Sequence, residues 1–167
     1  RGEPVPRQFP GALAGKDRKP FGKGSGRLEL ARAIASPENP LTARVIVNRV
    51  WGWHFGQGLV DTPSDFGMSS RSPSHPELLD WLASDFIKGG WSLKRLHRRI
   101  MNSATWQMAS AHQDEKAQAT DPTNKLLWRF NRQRLAFEGL RDSLVAVTGQ
   151  LDEKLGGPPV DIHSGFK

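Results

Sequence analysis

The segment from Asn39 to Phe55, NPLTARVIVNRVWGWHF, constrains the fold more than any other stretch of the chain. At 100° per residue Leu41, Val45, Ile46, Val47, Val50, Trp51, Trp53 and Phe55 leave no wide polar face, the pattern of a helix covered on several sides. Asn39-Pro40 supplies an N-cap and a first-turn proline, so the spacing predicts a central helix ending near Phe55. Arg44 and Asn48 interrupt a stripe otherwise made by Trp51 and Phe55, and polar groups in such a place are costly unless partnered. The next segment, GLVDTPSDFG, offers Asp61 and Asp65 on a loop that Gly and Pro allow to reverse tightly. Arg44 and Asn48 are therefore expected to be largely buried and hydrogen-bonded to residues 59–67.

Other helices follow from the same periodicity. Leu28, Ala31, Ile34 and Ala35 share a face of a helix over 27–35, which Ser36-Pro37 stops. Ser74 and Glu77 have capping-box spacing before Pro76, and Gly89-Gly90 closes that helix. Its core face is Leu78, Leu79, Leu82, Ala83 and Phe86. Ser92 can cap LKRLHRRIM, with Leu93, Leu96, His97 and Ile100 on one face and Lys94, Arg95, Arg98 and Arg99 on the other. Residues 109–120 read as an exposed loop or frayed helix, and Asp121-Pro122 as the start of a short helix through KLLWRF. A last helix over 134–148 turns Phe137, Leu140, Leu144 and Val147 inward and stops at Gly149.

No run alternates well enough to require a sheet. The fold class is all-α, an irregular bundle of about five to six helices with long Pro/Gly-rich terminal arms. Residues 1–26 form an extended arm or linker, 27–149 a helical domain, and 150–167 a tail truncated from a longer domain. If the arm docks, Phe9, Leu13 and Phe21 are its anchors.

At 167 residues the chain can bury roughly 70% of its unfolded surface in one core. The absence of Cys excludes disulfides, thiolate zinc sites, iron–sulfur clusters and covalent c-type haem within these residues, so no cofactor is expected in this chain. No apolar run is long enough to span a bilayer. Beginning at Arg1 without a targeting pattern, the sequence reads as a piece of a longer protein. The net charge of +7 is local: +4 in residues 1–26, −1 in 27–91, +6 in 92–134 and −2 in 135–167. Solvated basic faces account for this, since base-reading helices and RNA motifs with adjacent aromatics are absent and nucleic acid is disfavoured.

His54, His75 and His97 are the candidates for metal binding or proton transfer, with Asp61, Asp65 and Glu77 as carboxylate partners. Their spacing forms no ligand motif such as HExxH, and each has an ordinary structural role open to it, so no metal and no catalytic residue is assigned. Arg44, Asn48, Arg49, Asp61, Asp65 and His75 could surround one pocket for a sugar, an anion or a substrate carboxylate. The alternative is a buried network that pins the loop to the central helix. Arg134, Glu138, Arg141 and Asp142 form an alternating-charge ladder, with Glu138 at helical spacing from both arginines, which favours ion pairing over acid–base chemistry. GKGSG lacks the Lys-Ser/Thr ending of a phosphate loop, and no Ser stands in a nucleophile elbow. A polyanion site could draw on Lys94, Arg95, Arg98, Arg99, Arg129, Arg132 and Arg134, with acidic polysaccharide as its ligand.

The ordered motifs RLELARAIASPENPLTARVIVNRVWGWHFGQGLVDTPSDFG, SPSHPELLDWLASDFIKGGWSLKRLHRRIMNSATWQMAS, DPTNKLLWRF and RLAFEGLRDSLVAVTGQLDEKLGGPPV resemble a domain of unknown function abundant in planctomycetes. Trp106 stands where that family more often has Tyr, and the family usually continues past GGPPV. The resemblance implies the C-terminal part of large exported proteins that carry cytochrome-c-like domains. It thus implies an extracytoplasmic location, haem on other domains, and those neighbouring domains as partners. The functional expectation is a non-catalytic accessory or interaction module; the alternatives are part of a polysaccharide-acting enzyme, or a polyanion-binding module.

Overall fold

The computed structural model describes residues 5–15, 18–154 and 156–157. Seven helices and no strand occur among them: α1 (Gly11–Ala14), α2 (Arg27–Ile34), α3 (Thr42–Phe55), α4 (Pro76–Lys88), α5 (Leu93–Met101), α6 (Glu115–Thr120) and α7 (Phe137–Val147). The chain divides into two units, Arg1–Arg132 and Gln133–Lys167. The first holds α1 to α6 and the second holds α7.

α3 is the centre of the first unit, packed on α4 and α5. Ala43, Val47, Val50, Trp51 and Phe55 of α3 meet Leu79, Leu82, Ala83 and Phe86 of α4, Leu96 and Ile100 of α5, and Leu59 and Val60 of the connecting loop. Full burial of side chains such as Phe55, Leu79 and Ile100 is worth about 1.5–3 kcal/mol each relative to exposure. Trp51 stacks on Phe55 at 4.3 Å between ring centroids, and Trp106 and Phe130 extend that aromatic cluster by edge contacts.

Three helix starts differ from the sequence reading: α7 begins at Phe137 rather than 134, and its Phe137, Leu140, Leu144 and Val147, read as inward, are exposed. α3 begins at Thr42, and Asn39 acts one step earlier: its Oδ1 accepts from the Leu41 N–H while its Nδ2 donates to the Ile34 carbonyl and Thr42 Oγ1. The side chain thus joins the end of α2 to the start of α3. Ser74 does not cap α4, whose N-cap is His75 without a side-chain bond; the Ser74 N–H is taken by the Leu59 carbonyl at 2.8 Å. The α5 cap is as expected, with Ser92 Oγ accepting from the Arg95 N–H. α6 also has a cap, Asp114 Oδ1 receiving the N–H groups of Lys116 and Ala117.

The short helix expected through KLLWRF does not form. Residues 121–131 instead wind around two side chains. Asp121 accepts the N–H groups of Lys125 and Leu126, and Asn124 brackets Arg129 by accepting its N–H and donating to its carbonyl. Asn124 and Leu127 both adopt positive φ, at 55° and 56°, which interrupts any right-handed helix.

In the arm, α1 makes a single turn, the Phe21 N–H donates to the Arg7 carbonyl, and Glu29 receives the N–H groups of Gly22 and Lys23. Phe9, Leu13 and Phe21 are all half-buried. Phe9 and Leu13 share an apolar groove of about 420 Å³ with Leu30, Ile34, Val45 and Ile46. The part of the 150–167 tail at Leu155 and from Pro158 onward lies outside the described residues.

Candidate functional site

The α3-to-α4 connection holds most of the polar residues singled out above. α3 ends at Gly56, whose φ of 82° lets its N–H return to the Gly52 carbonyl while the chain turns back along the helix. That return brings Val60 beside Asn48, 1% exposed, whose Oδ1 accepts the Val60 N–H at 2.8 Å and whose Nδ2 donates to the Val60 carbonyl at 3.0 Å. Gly58 is pressed into the same place, for a Cβ there would lie 2.7 Å from the Asn48 amide and from the Val60 carbonyl oxygen.

Arg44 does not join this network. Its Nε meets Asp80 of α4 at 2.6 Å and its Nη1 the Pro40 carbonyl at 2.6 Å, in a pair exposed enough to be worth no more than about 1 kcal/mol. The reason is geometric: one turn before Asn48, Arg44 is nearer to α4 than to the returning loop. Arg49 is exposed. Asp65 closes a local turn, its Oδ1 accepting the Gly67 N–H, and His75 Nδ1 pairs with Ser74 Oγ. Asp61 is half-buried, with Oδ2 3.5 Å from Arg71 and 3.7 Å from Lys125. Its Oδ1 is enclosed without a hydrogen-bond partner among the described residues. Of the six residues read as one pocket or network, each is thus engaged with its own partner or faces solvent, and Asn48 alone among Arg44, Asn48 and Arg49 ties α3 to the loop.

A pairing absent from the sequence reading joins His54, at the end of α3, to His97 on α5. His54 Nε2 and His97 Nδ1 are 2.8 Å apart, so one ring donates and the other accepts, and Trp106 stands edge-on to His54 at 5.0 Å. Burial, followed by the proximity of His97, lowers the His54 pKa below 6.5. No group of three or more His, Cys, Asp or Glu positioned for a metal occurs among the described residues. With a sequence separation of 43, no spacing rule could have suggested this pair.

The basic set is divided as well. Asp85 of α4 engages Arg95 at 2.7 Å and Arg99 at 3.4 Å, and the hydrogen bond from Arg95 is the first cause holding the Asp85 carboxyl below its usual range. Lys94 and Arg98 are exposed on α5. Arg129 lies over the Trp128 ring at 4.5 Å, Arg132 is exposed, and Arg134 belongs to the second unit. In that unit Arg141 pairs with Asp142 at 2.7 Å.

A family model described as PSD1, protein of unknown function (DUF1553), matches residues 26–165. The chain belongs to this family. No curated protein and no solved structure matches it significantly. The match to the PSD1 family begins at Gly26, so it takes in α2 to α7 and leaves α1 outside. No helix of the described PSD1 domain is long and apolar enough to cross a membrane.

Proposed function

We propose that this PSD1-family domain is a non-catalytic interaction module of an exported multidomain protein, docking neighbouring domains of the same chain, cytochrome-c-like domains among them. The observation that carries the reading is that two helices with apolar residues at helical spacing bury none of them. On α2, Leu30 and Ile34, one turn apart, are 39% and 45% exposed even with Phe9 and Leu13 of the arm in the same groove. On α7, Phe137, Leu140, Leu144 and Val147 are 73%, 48%, 62% and 89% exposed. Apolar side chains repeated along a face, rather than scattered singly, are what a protein partner covers. The polar clusters, by contrast, are engaged in holding the fold. In this reading the chain carries no cofactor of its own, haem resides on the neighbours, and the protein works outside the cytoplasm.

A photo-crosslinking residue placed at Leu30 or Leu144 of the full-length protein tests the proposal. Cross-links to segments outside the domain are expected, and Leu144→Glu should weaken them. An isolated domain that turns over substrate, in a full-length protein giving no such cross-links, would overturn the reading.

A further inference from the structure

We propose that the cleft between residues 110–113 and 129–132 binds one acidic sugar residue, a uronate or a sugar sulfate, through the guanidinium groups of Arg129 and Arg132. The Phe130 N–H donates to the Ala109 carbonyl and sets the two segments side by side. Between them lies a cleft of about 290 Å³, lined by Arg129, Arg132, Ser110, Gln113, Asn131 and Phe130 among others. This is at the lower end for small-molecule sites and suits a single sugar ring.

The lining carries two positive charges and no carboxylate. Of the acids nearest in sequence, Asp114 caps α6, both oxygens of Asp121 accept backbone N–H groups, and Glu115 stands exposed in the first turn of α6, outside the lining. Arg132 has no acidic partner among the described residues, in contrast to Arg95 and Arg99, which share Asp85. Arg129 uses its flat face on the Trp128 ring, which fixes the guanidinium and leaves its N–H edge for a planar oxyanion. Ser110 and Gln113 make no side-chain hydrogen bond elsewhere among the described residues, so a hydroxyl and an amide stand free at the cleft. Asn131 is committed to Phe55 and Asn124 and acts as a fixed wall. An anion alone would need only the arginines; the neutral donors and acceptors of Ser110 and Gln113 beside them fit a polyhydroxylated ligand that carries the charge.

Titration of the full chain with glucuronate, N-acetylglucosamine 6-sulfate, glucose and inorganic sulfate, followed by calorimetry and by the Trp indole N–H resonances, decides the matter. Saturable binding of at least one acidic sugar, tighter than that of inorganic sulfate or glucose, is expected. Arg132→Gln, a change at an exposed side chain, should weaken it about tenfold or more, and the Arg129→Gln/Arg132→Gln double variant should abolish it. Arg95→Gln should leave it unchanged. Glucose as tight as the sugar acids, inorganic sulfate as tight as either, no saturable binding, or acidic-sugar binding indifferent to both arginine variants would each overturn the proposal.

Discussion

Asn48 exchanges two hydrogen bonds with Val60, its side-chain amide presenting to the loop the same donor and acceptor that a paired strand would present. Both residues are almost completely buried. Asn48→Leu should therefore leave the N–H and the carbonyl of Val60 without partners, at about 1–3 kcal/mol for each orphaned group. Asn48→Asp keeps the acceptor but loses the donor and buries a charge, so it should destabilise at neutral pH and recover in part as the pH is lowered. Urea denaturation of the two variants would measure this; wild-type midpoints in both would show that the loop is held by something else.

Glycine at two positions should respond in opposite directions. Gly58→Ala puts a Cβ 2.7 Å from the Asn48 amide and from a backbone carbonyl that cannot move independently of the loop, so a loss of about 1–3 kcal/mol is expected. Gly139 lies within α7, and a Cβ there meets nothing within 4 Å. Gly139→Ala should raise the helicity of α7, by up to about 1 kcal/mol of intrinsic preference. Circular dichroism and thermal melts of the two variants report the signs directly.

The contrast between α3 and residues 121–131 shows what the sequence could and could not reveal. The central helix was legible because its apolar residues recur densely enough to make it the packing centre for α4 and α5, although Trp53, read with them, is 70% exposed. KLLWRF carries an equally apolar pattern, but Asp121 and Asn124 capture the backbone N–H groups that a helix would have used. Such side-chain competition with the backbone was signalled by DPTN, although the sequence could not say which of the two would prevail. Asn48 was legible for the same reason as α3: a short amide in an aromatic stripe needs a nearby backbone partner. Arg44 was not, because a long side chain can leave the stripe, and whether it turns to the loop or to Asp80 depends on how α4 packs. The His54 and His97 pair depends on that tertiary packing entirely.

That pair should make stability pH-dependent. The folded-state pKa of His54 lies below 6.5 because of burial and then the neighbouring His97. The unfolded chain therefore takes up a proton in a range where the folded chain does not. Stability is fully present above pH 6.5 and declines as the pH falls from there toward the lowered folded-state value. His54→Phe should remove this part of the dependence, and His97→Phe should reduce it, leaving the effect of burial. Melting temperatures at pH 7.5 and 5.5 provide the comparison, and an equal drop in wild type and His54→Phe would assign the acid sensitivity to other groups.

A second, more acidic transition should come from Asp121. Burial acts to raise its pKa, but the N–H groups of Leu126 and Lys125, the Thr123 hydroxyl and the Lys125 charge outweigh it and hold the carboxyl below 3.8. Since the folded state prefers the ionised form, its contribution is complete above the unfolded value and is lost as the pH falls through and below about 3.8. Asp121→Asn retains one acceptor oxygen where two are used, so either the Lys125 or the Leu126 N–H loses its bond, at about 1–3 kcal/mol. The damage should stay local at first, loosening residues 121–131 and with them the Trp128 indole, which donates to the Asp121 carbonyl at 3.0 Å. Hydrogen exchange at Lys125 and Leu126 should quicken in the variant at neutral pH and in the wild type near pH 3. Unchanged protection in the variant would mean that the turn is held by Asn124 rather than by Asp121.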